Sequence, residues 1–180
     1  MKTVWIMGML LCVALMCGCA TVYDVAYDYD KRIDFSSLKS YDWMRAPDAA
    51  AANELVLDRI KNATDYELEV KGLVKANSTP DFRIVPHIST QEKIEVDNCG
   101  YRYGPREYYW GGYRRPGSVA TYVYEEGSLI LDFVDPETKH LVWRGSAKAD
   151  IDYVDTPEKN WELIKKAVNE IMKKFPPPLN

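Results

Sequence analysis

Apolar residues recur along this chain with two different periods, and the switches between those periods mark its elements. From Val22 to Tyr29, Val25, Tyr27 and Tyr29 share one parity while Ala26 and Asp28 take the other, which predicts a strand. Residues 33–43 read as a polar turn followed by a short strand ending near Trp43. A low-complexity break, Ala46 to Ala52 with Pro47, precedes Asn53, a residue suited to cap a helix. Leu57, Ile60, Thr64 and Leu68 then fall three and four apart, predicting a helix to about Lys71 that Gly72 stops. Phe82, Ile84, Ile88, Ile94 and Val96 make 81–96 extended, and Pro86, with no N–H to donate, predicts an edge strand or a bulge there.

Leu129, Leu131 and Phe133 share one parity and Ile130 and Val134 the other, the pattern of a strand covered on both faces. Asp135-Pro136-Glu137-Thr138-Lys139 is turn chemistry. Beyond it Leu141, Trp143, Ala147, Ala149 and Ile151 alternate with Arg144, Ser146, Lys148 and Asp150, predicting a strand with one apolar side. Thr156 and Pro157 open a second helix. Trp161, Ile164, Val168, Ile171 and Phe175 carry its apolar stripe, and Pro176-Pro177-Pro178 ends it. Together these elements predict an α+β domain: an antiparallel sheet of four to six strands with two helices packed on one face.

Upstream of Val22 the pattern is different. Lys2 is followed by an apolar run from Val4 to Met16, and no further charge appears until Asp24. A membrane crossing needs about 20 apolar residues, so this shorter run reads as an export signal. It ends Leu15-Met16-Cys17-Gly18-Cys19-Ala20, which resembles the lipobox of bacterial lipoproteins. Cys19 matches the lipidated cysteine and Gly18 the small residue before the cut, while Met16 departs from the usual leucine. The resemblance implies a signal peptide over 1–18 and one periplasm-facing domain over 19–180. Its membrane partner is reached through fatty chains, palmitate among them, on Cys19. Ala20 in place of Asp implies sorting to the outer membrane in a Gram-negative host. Two or three chains, each gaining about 0.8 kcal/mol per buried CH₂, hold effectively permanently. Only three residue steps, about 10 Å, separate Cys19 from Val22, so the domain is expected to sit close above the bilayer.

Charge and cysteines narrow the classes. The net charge of −4, more negative still once Lys2 is removed, argues against a nucleic-acid partner, because such binding rests on neutralising phosphates. After cleavage the remaining length buries roughly 68–70% of the unfolded surface, so no structural metal or disulfide framework is required. Cys12 and Cys17 leave with the signal and Cys19 becomes a thioether. Cys99 stays behind, as a free thiol or as one half of an intermolecular disulfide.

The enzyme templates are missing. No phosphate loop, dinucleotide fingerprint or nucleophile elbow occurs in the sequence. His87 and His140 have no companion at ligand spacing, so neither a metal nor a cofactor is expected. Asp132, flanked by apolar residues, reads as a carboxylate satisfying buried hydrogen bonds rather than as half of an acid–base pair. One stretch stands out, an expected loop over 97–116. Tyr101, Arg102, Tyr103, Arg106, Tyr108, Tyr109, Trp110, Tyr113, Arg114 and Arg115 crowd into it among glycines, giving a local charge of about +3 in an acidic chain. Tyrosine and tryptophan suit sugar rings, protein surfaces or a membrane interface, and arginine suits phosphate or carboxylate. The candidate partners are therefore an envelope protein, a glycan or a lipid headgroup; the alternative is a plain hairpin tip.

The ordered set of Asp34-Phe35-Ser36, Tyr41-Asp42-Trp43, Leu68 to Gly72, Pro80-Asp81-Phe82, Gly127 to Asp132, Val142-Trp143-Arg144-Gly145 and Phe175-Pro176-Pro177 resembles the bacterial lipoproteins that share domain of unknown function 4136. That resemblance implies a periplasm-facing lipoprotein with no established activity and no catalytic residues to carry over. The reading is a non-enzymatic binding or envelope-maintenance module. A regulator of peptidoglycan synthesis is the alternative, since small lipoproteins with a similar strand-turn-strand play that part. The short tether weighs against it, because reaching an inner-membrane synthase needs a long disordered arm. A hydrolase would need a pocket with perturbed carboxylates.

Overall fold

The computed structural model describes residues 21–44, 53–76, 78–98, 119–152 and 154–178. Along the chain come β1 (Val22–Tyr29), β2 (Ser40–Trp43), α1 (Glu54–Val70), β3 (Val74–Lys75), β4 (Phe82–Asn98), β5 (Val119–Val134), β6 (Leu141–Asp150) and α2 (Pro157–Met172). The strands form one six-stranded sheet in the order β1-β6-β5-β4-β2-β3. The α+β class, strand number and paired helices agree with the apolar periodicity. The sheet is mixed, however, not wholly antiparallel: β2 runs parallel to both β3 and β4. Connectivity is the reason, because α1 forms the crossover after β2 and brings the chain back to start its next strand from the same end.

Local chemistry explains both helices. The Asn53 side chain accepts the Leu55 N–H at 3.0 Å, and Gly72, at φ +82°, takes the left-handed conformation that ends α1. Thr156 caps α2 by accepting the Lys159 N–H, with Pro157 at the first turn. The two helices lie side by side and run the same way. Arg59 donates to Asn160 near their starts (2.7 Å), and Asn169 donates to Glu67 near their ends (2.8 Å).

The core lies between these helices and the sheet. Phe82 stacks on Phe133 and Phe133 meets Trp143 at a tilt of 47°, both pairs with centroids 4.8 Å apart, and Phe175 closes the cluster from beyond the end of α2. Room for the buried Trp143 ring depends on Gly145: a Cβ there would stand 2.3 Å from the ring and 2.5 Å from Ile171 Cγ2.

Three details depart from simple alternation. A register shift between Phe133 and Val134 turns Val142 inward and leaves Leu141 exposed, the reverse of the expected parity. Asp24, at φ +52°, sits in a similar shift between Tyr23 and Ala26 of β1. The β4–β5 ladder runs on through Asp97↔Ala120 and Asn98↔Val119, so Asp97 and Asn98 belong to a strand and not to the expected loop. Pro86 sits as expected: it pairs with Leu131 on one side, while the ladder to β2 stops at Ile84 on the other.

One end of the molecule gathers several features. β6 pairs with β5 no further than Glu126, so residues 92–98 and 119–125 continue as a two-stranded ribbon about 23 Å long. β1 and β5 are both antiparallel to β6, and Val22 pairs with Ala149, which pairs with Gly127. The chain before Val22 therefore leaves at the end from which the ribbon projects. α2 begins there too, just after β6, and so does its parallel neighbour α1.

Candidate functional site

Of the residues singled out in the sequence, Cys19, Cys99 and the whole set from Tyr101 to Arg115 fall outside the described ones. Their points of attachment are described. The pair Asn98↔Val119 closes the base of the aromatic and arginine-rich segment, and the strand beginning at Val22 fixes where the chain from Cys19 joins the fold. On the ribbon, Ile94 and Val123 face each other across the ladder and are 68% and 61% exposed. The helix-facing side of the sheet thus continues past the helices as an apolar rung in solvent.

Under the first turns of α1 and α2 the layer between helices and sheet is not filled, leaving a cavity of about 500 Å³. Side-chain size is the cause. Farther along, the strands present Leu131, Phe133 and Trp143 to the helices, whereas here they present Gly127, Ala147 and Ala149. Val56, Leu57 and Ile60 of α1 form one wall, and Leu163, Ile164 and Ala167 of α2 form the other. Ile88, Leu129 and Ile151 complete an apolar lining. The polar side chains contributed from this side are neutral: Asn53, Thr90 and Asn160. His87, Ser89, Ser128 and Lys148 border the cavity by their backbone, since strand alternation sends their side chains to the opposite face. The volume lies within the range of about 300–1,000 Å³ usual for ligand sites.

That opposite face carries the charge. Asp132, only 6% exposed, lies directly across from Arg144 of β6, which donates to its two oxygens from Nε and Nη2, each at 2.5 Å. His87 Nε2 stands 3.3 Å from the same carboxylate. The expectation that Asp132 satisfies hydrogen bonds fits this arrangement. Nearer the ribbon, buried Glu126 accepts from the Tyr23 hydroxyl at 2.9 Å, with Lys93 Nζ 3.6 Å away. Burial foremost, and this carboxylate next, push the Tyr23 phenol well above its ordinary value. Lys148 pairs with Asp24 at 2.7 Å. These are opposite charges neutralising one another across neighbouring strands. No group of three His, Cys, Asp or Glu among the described residues is placed to hold a metal ion, and no described helix is long and apolar enough to cross a membrane.

The sequence pattern did not point to the cavity, which five elements build together. Its one local signal is the run of small residues at 127, 147 and 149 in strands otherwise rich in large ones.

Residues 25–177 match the family model described as domain of unknown function DUF4136. The chain belongs to the DUF4136 family. No curated protein matches it. Among solved structures, a PDZ domain protein from Parabacteroides distasonis is similar over 89% of this chain, with a TM-score of 0.56 at 13% identity. The DUF4136 chain spans only 37% of that protein, so the likeness is one of fold alone. A PelC dodecamer from Paraburkholderia phytofirmans (TM-score 0.42, 7% identity, 84% of this chain and 95% of that one) is more distant. So is a minor lipoprotein from Acinetobacter baumannii (TM-score 0.32, 9% identity, 76% and 90%).

Proposed function

We propose that this DUF4136 protein is a lipid-anchored, non-enzymatic binding module of the bacterial envelope, attached through Cys19 and making contact through the segment Tyr101 to Arg115. The observation that supports the reading best is topological: the chain from Cys19 joins the sheet at the same end from which the β4–β5 ribbon leaves. The point where the chain from Cys19 joins the fold, Val22, and the strands that lead to Tyr101 to Arg115 therefore share one end of the sheet. About 10 Å of tether and about 23 Å of ribbon at that shared end support a reading in which a membrane-anchored domain presents the ribbon toward its membrane. Tyrosine, tryptophan and arginine are the residues such a boundary favours. An outer-membrane, periplasm-facing location follows from Ala20 for a Gram-negative host.

Two measurements test this. Cells grown with labelled palmitate are expected to yield labelled protein, and Cys19→Ala is expected to abolish the label and release the protein from membranes. Deleting Tyr101 to Arg115 is expected to reduce retention of envelope components in pull-downs. Retention equal to that of the intact protein would remove the segment from any binding role.

A further inference from the structure

We propose that the cavity beneath the helix starts binds a single acyl chain, and that its occupant is a chain carried on Cys19. The proposal rests on the lipid-anchor reading above. Chemistry defines the class of ligand. The walls are aliphatic, the polar side chains among them are the neutral Asn53, Thr90 and Asn160, and among the described residues no charged side chain projects into the space from the helix-facing side. A charged or highly hydroxylated ligand would lose its water there and gain little in return. An unbranched hydrocarbon chain has no polar group to desolvate, and its burial offsets the cost of ordering it.

Position defines the occupant. The floor residue Ala149 pairs with Val22, the first residue of β1, and Cys19 lies three residue steps upstream of it. A chain on Cys19 is thus held within about 10 Å of the cavity's neighbourhood by the tether alone. Attachment at that range raises the local concentration to the millimolar scale, far above that of any untethered lipid dispersed in water. The cavity also lies at the end where the backbone toward Cys19 departs, so the chain need not cross the body of the domain to enter. The domain then offers its own anchor a second apolar environment: one chain lies in the bilayer when the membrane is present, and in the protein when it is not.

The test uses the full chain expressed in cells fed a fatty acid that carries a diazirine and an alkyne. After membrane extraction the protein is irradiated and mapped by peptide mass spectrometry. The expected result is label on the Cys19 peptide, joined by crosslinks to peptides containing Val56 to Ile60 or Leu163 to Ala167. Ala149→Leu, which fills the floor, and Val56→Glu, which places a charge on a half-exposed wall, are expected to cut the crosslink yield at least fivefold with Cys19 labelling unchanged. Val56→Glu carries the test if Ala149→Leu lowers the thermal midpoint. Label on Cys19 without cavity crosslinks would overturn the proposal and leave the anchor standing. An unlabelled Cys19 would overturn both. Crosslinks that persist in Cys19→Ala, or that are undiminished in the wall variants, would assign the cavity to another lipid or the crosslinks to another surface, and either would defeat it.

Discussion

Arg144→Met is the substitution that best separates a structural from a functional reading of the charged sheet face. Asp132 is 6% exposed and takes two charge-assisted hydrogen bonds from Arg144 at 2.5 Å. Breaking a buried pair by removing one partner costs about 3–5 kcal/mol, because the other charge is left stranded. Arg144 is itself 47% exposed on its side chain, so water reaches part of the vacated space, and His87 stays beside the carboxylate. About 2 kcal/mol is the expected loss. For a domain of this size 1 kcal/mol moves the thermal midpoint by roughly 2–4 °C, so Arg144→Met is expected to melt about 4–8 °C lower. Circular dichroism at neutral pH measures it. The double variant Asp132→Leu/Arg144→Met, which strands no charge, is expected to recover part of the loss. A single variant within 1 °C of the parent, or a double variant less stable than the single one, would refute the reasoning.

Other substitutions probe other parts of the fold. Gly145→Ala forces a methyl group to within 2.3 Å of the Trp143 ring, and an overpacking cost at or above about 3 kcal/mol is expected in urea titration. Asn53→Ala removes the cap on α1 and is expected to cost about 1 kcal/mol by the same assay. Asp81 accepts N–H donors from Lys39 and Ser40, each at 2.8 Å, and the Lys39 hydrogen bond above all holds its carboxyl below the usual range. A depressed folded value means its contribution is present above the unfolded value of about 3.9 and is lost as pH falls through the folded one. The acid limb of a stability–pH profile is therefore expected to be shallower in Asp81→Asn below about pH 4.

What the sequence made legible was local. Asn53, Gly72, Thr156 and Pro157 act within a few residues of themselves, so both ends of α1 and the start of α2 follow from them; α2 ends at Met172, short of the Phe175 that the apolar spacing assigns to it. β6 shows where reading stops. Its alternation names the right inward residues from Trp143 to Ala149, yet the shift opposite Val134 exchanges Leu141 and Val142, and nothing at those positions announces it. β3 is two exposed residues, Val74 and Lys75, with no pattern at all; it exists because β2 offers it a parallel partner. The cavity was out of reach for the same reason. An alanine at 147 or 149 reads as an ordinary inward residue until two helix starts are known to lie above it. The proposed anchor and contact segment, Cys19 and Tyr101 to Arg115, are the opposite case: composition and motif alone single them out.

The polarity of β1 bears on how the domain withstands tension. β1 is the outermost strand, joined to the sheet by β6 alone, and its first residue lies at the end where the upstream chain departs. A pull on that chain, directed away from the body, acts along the strand axis. The bonds between strands lie across that axis, so they resist sliding together. Had β1 run the opposite way, the same tether would double back over the strand and peel its pairs apart one at a time, beginning at the far side.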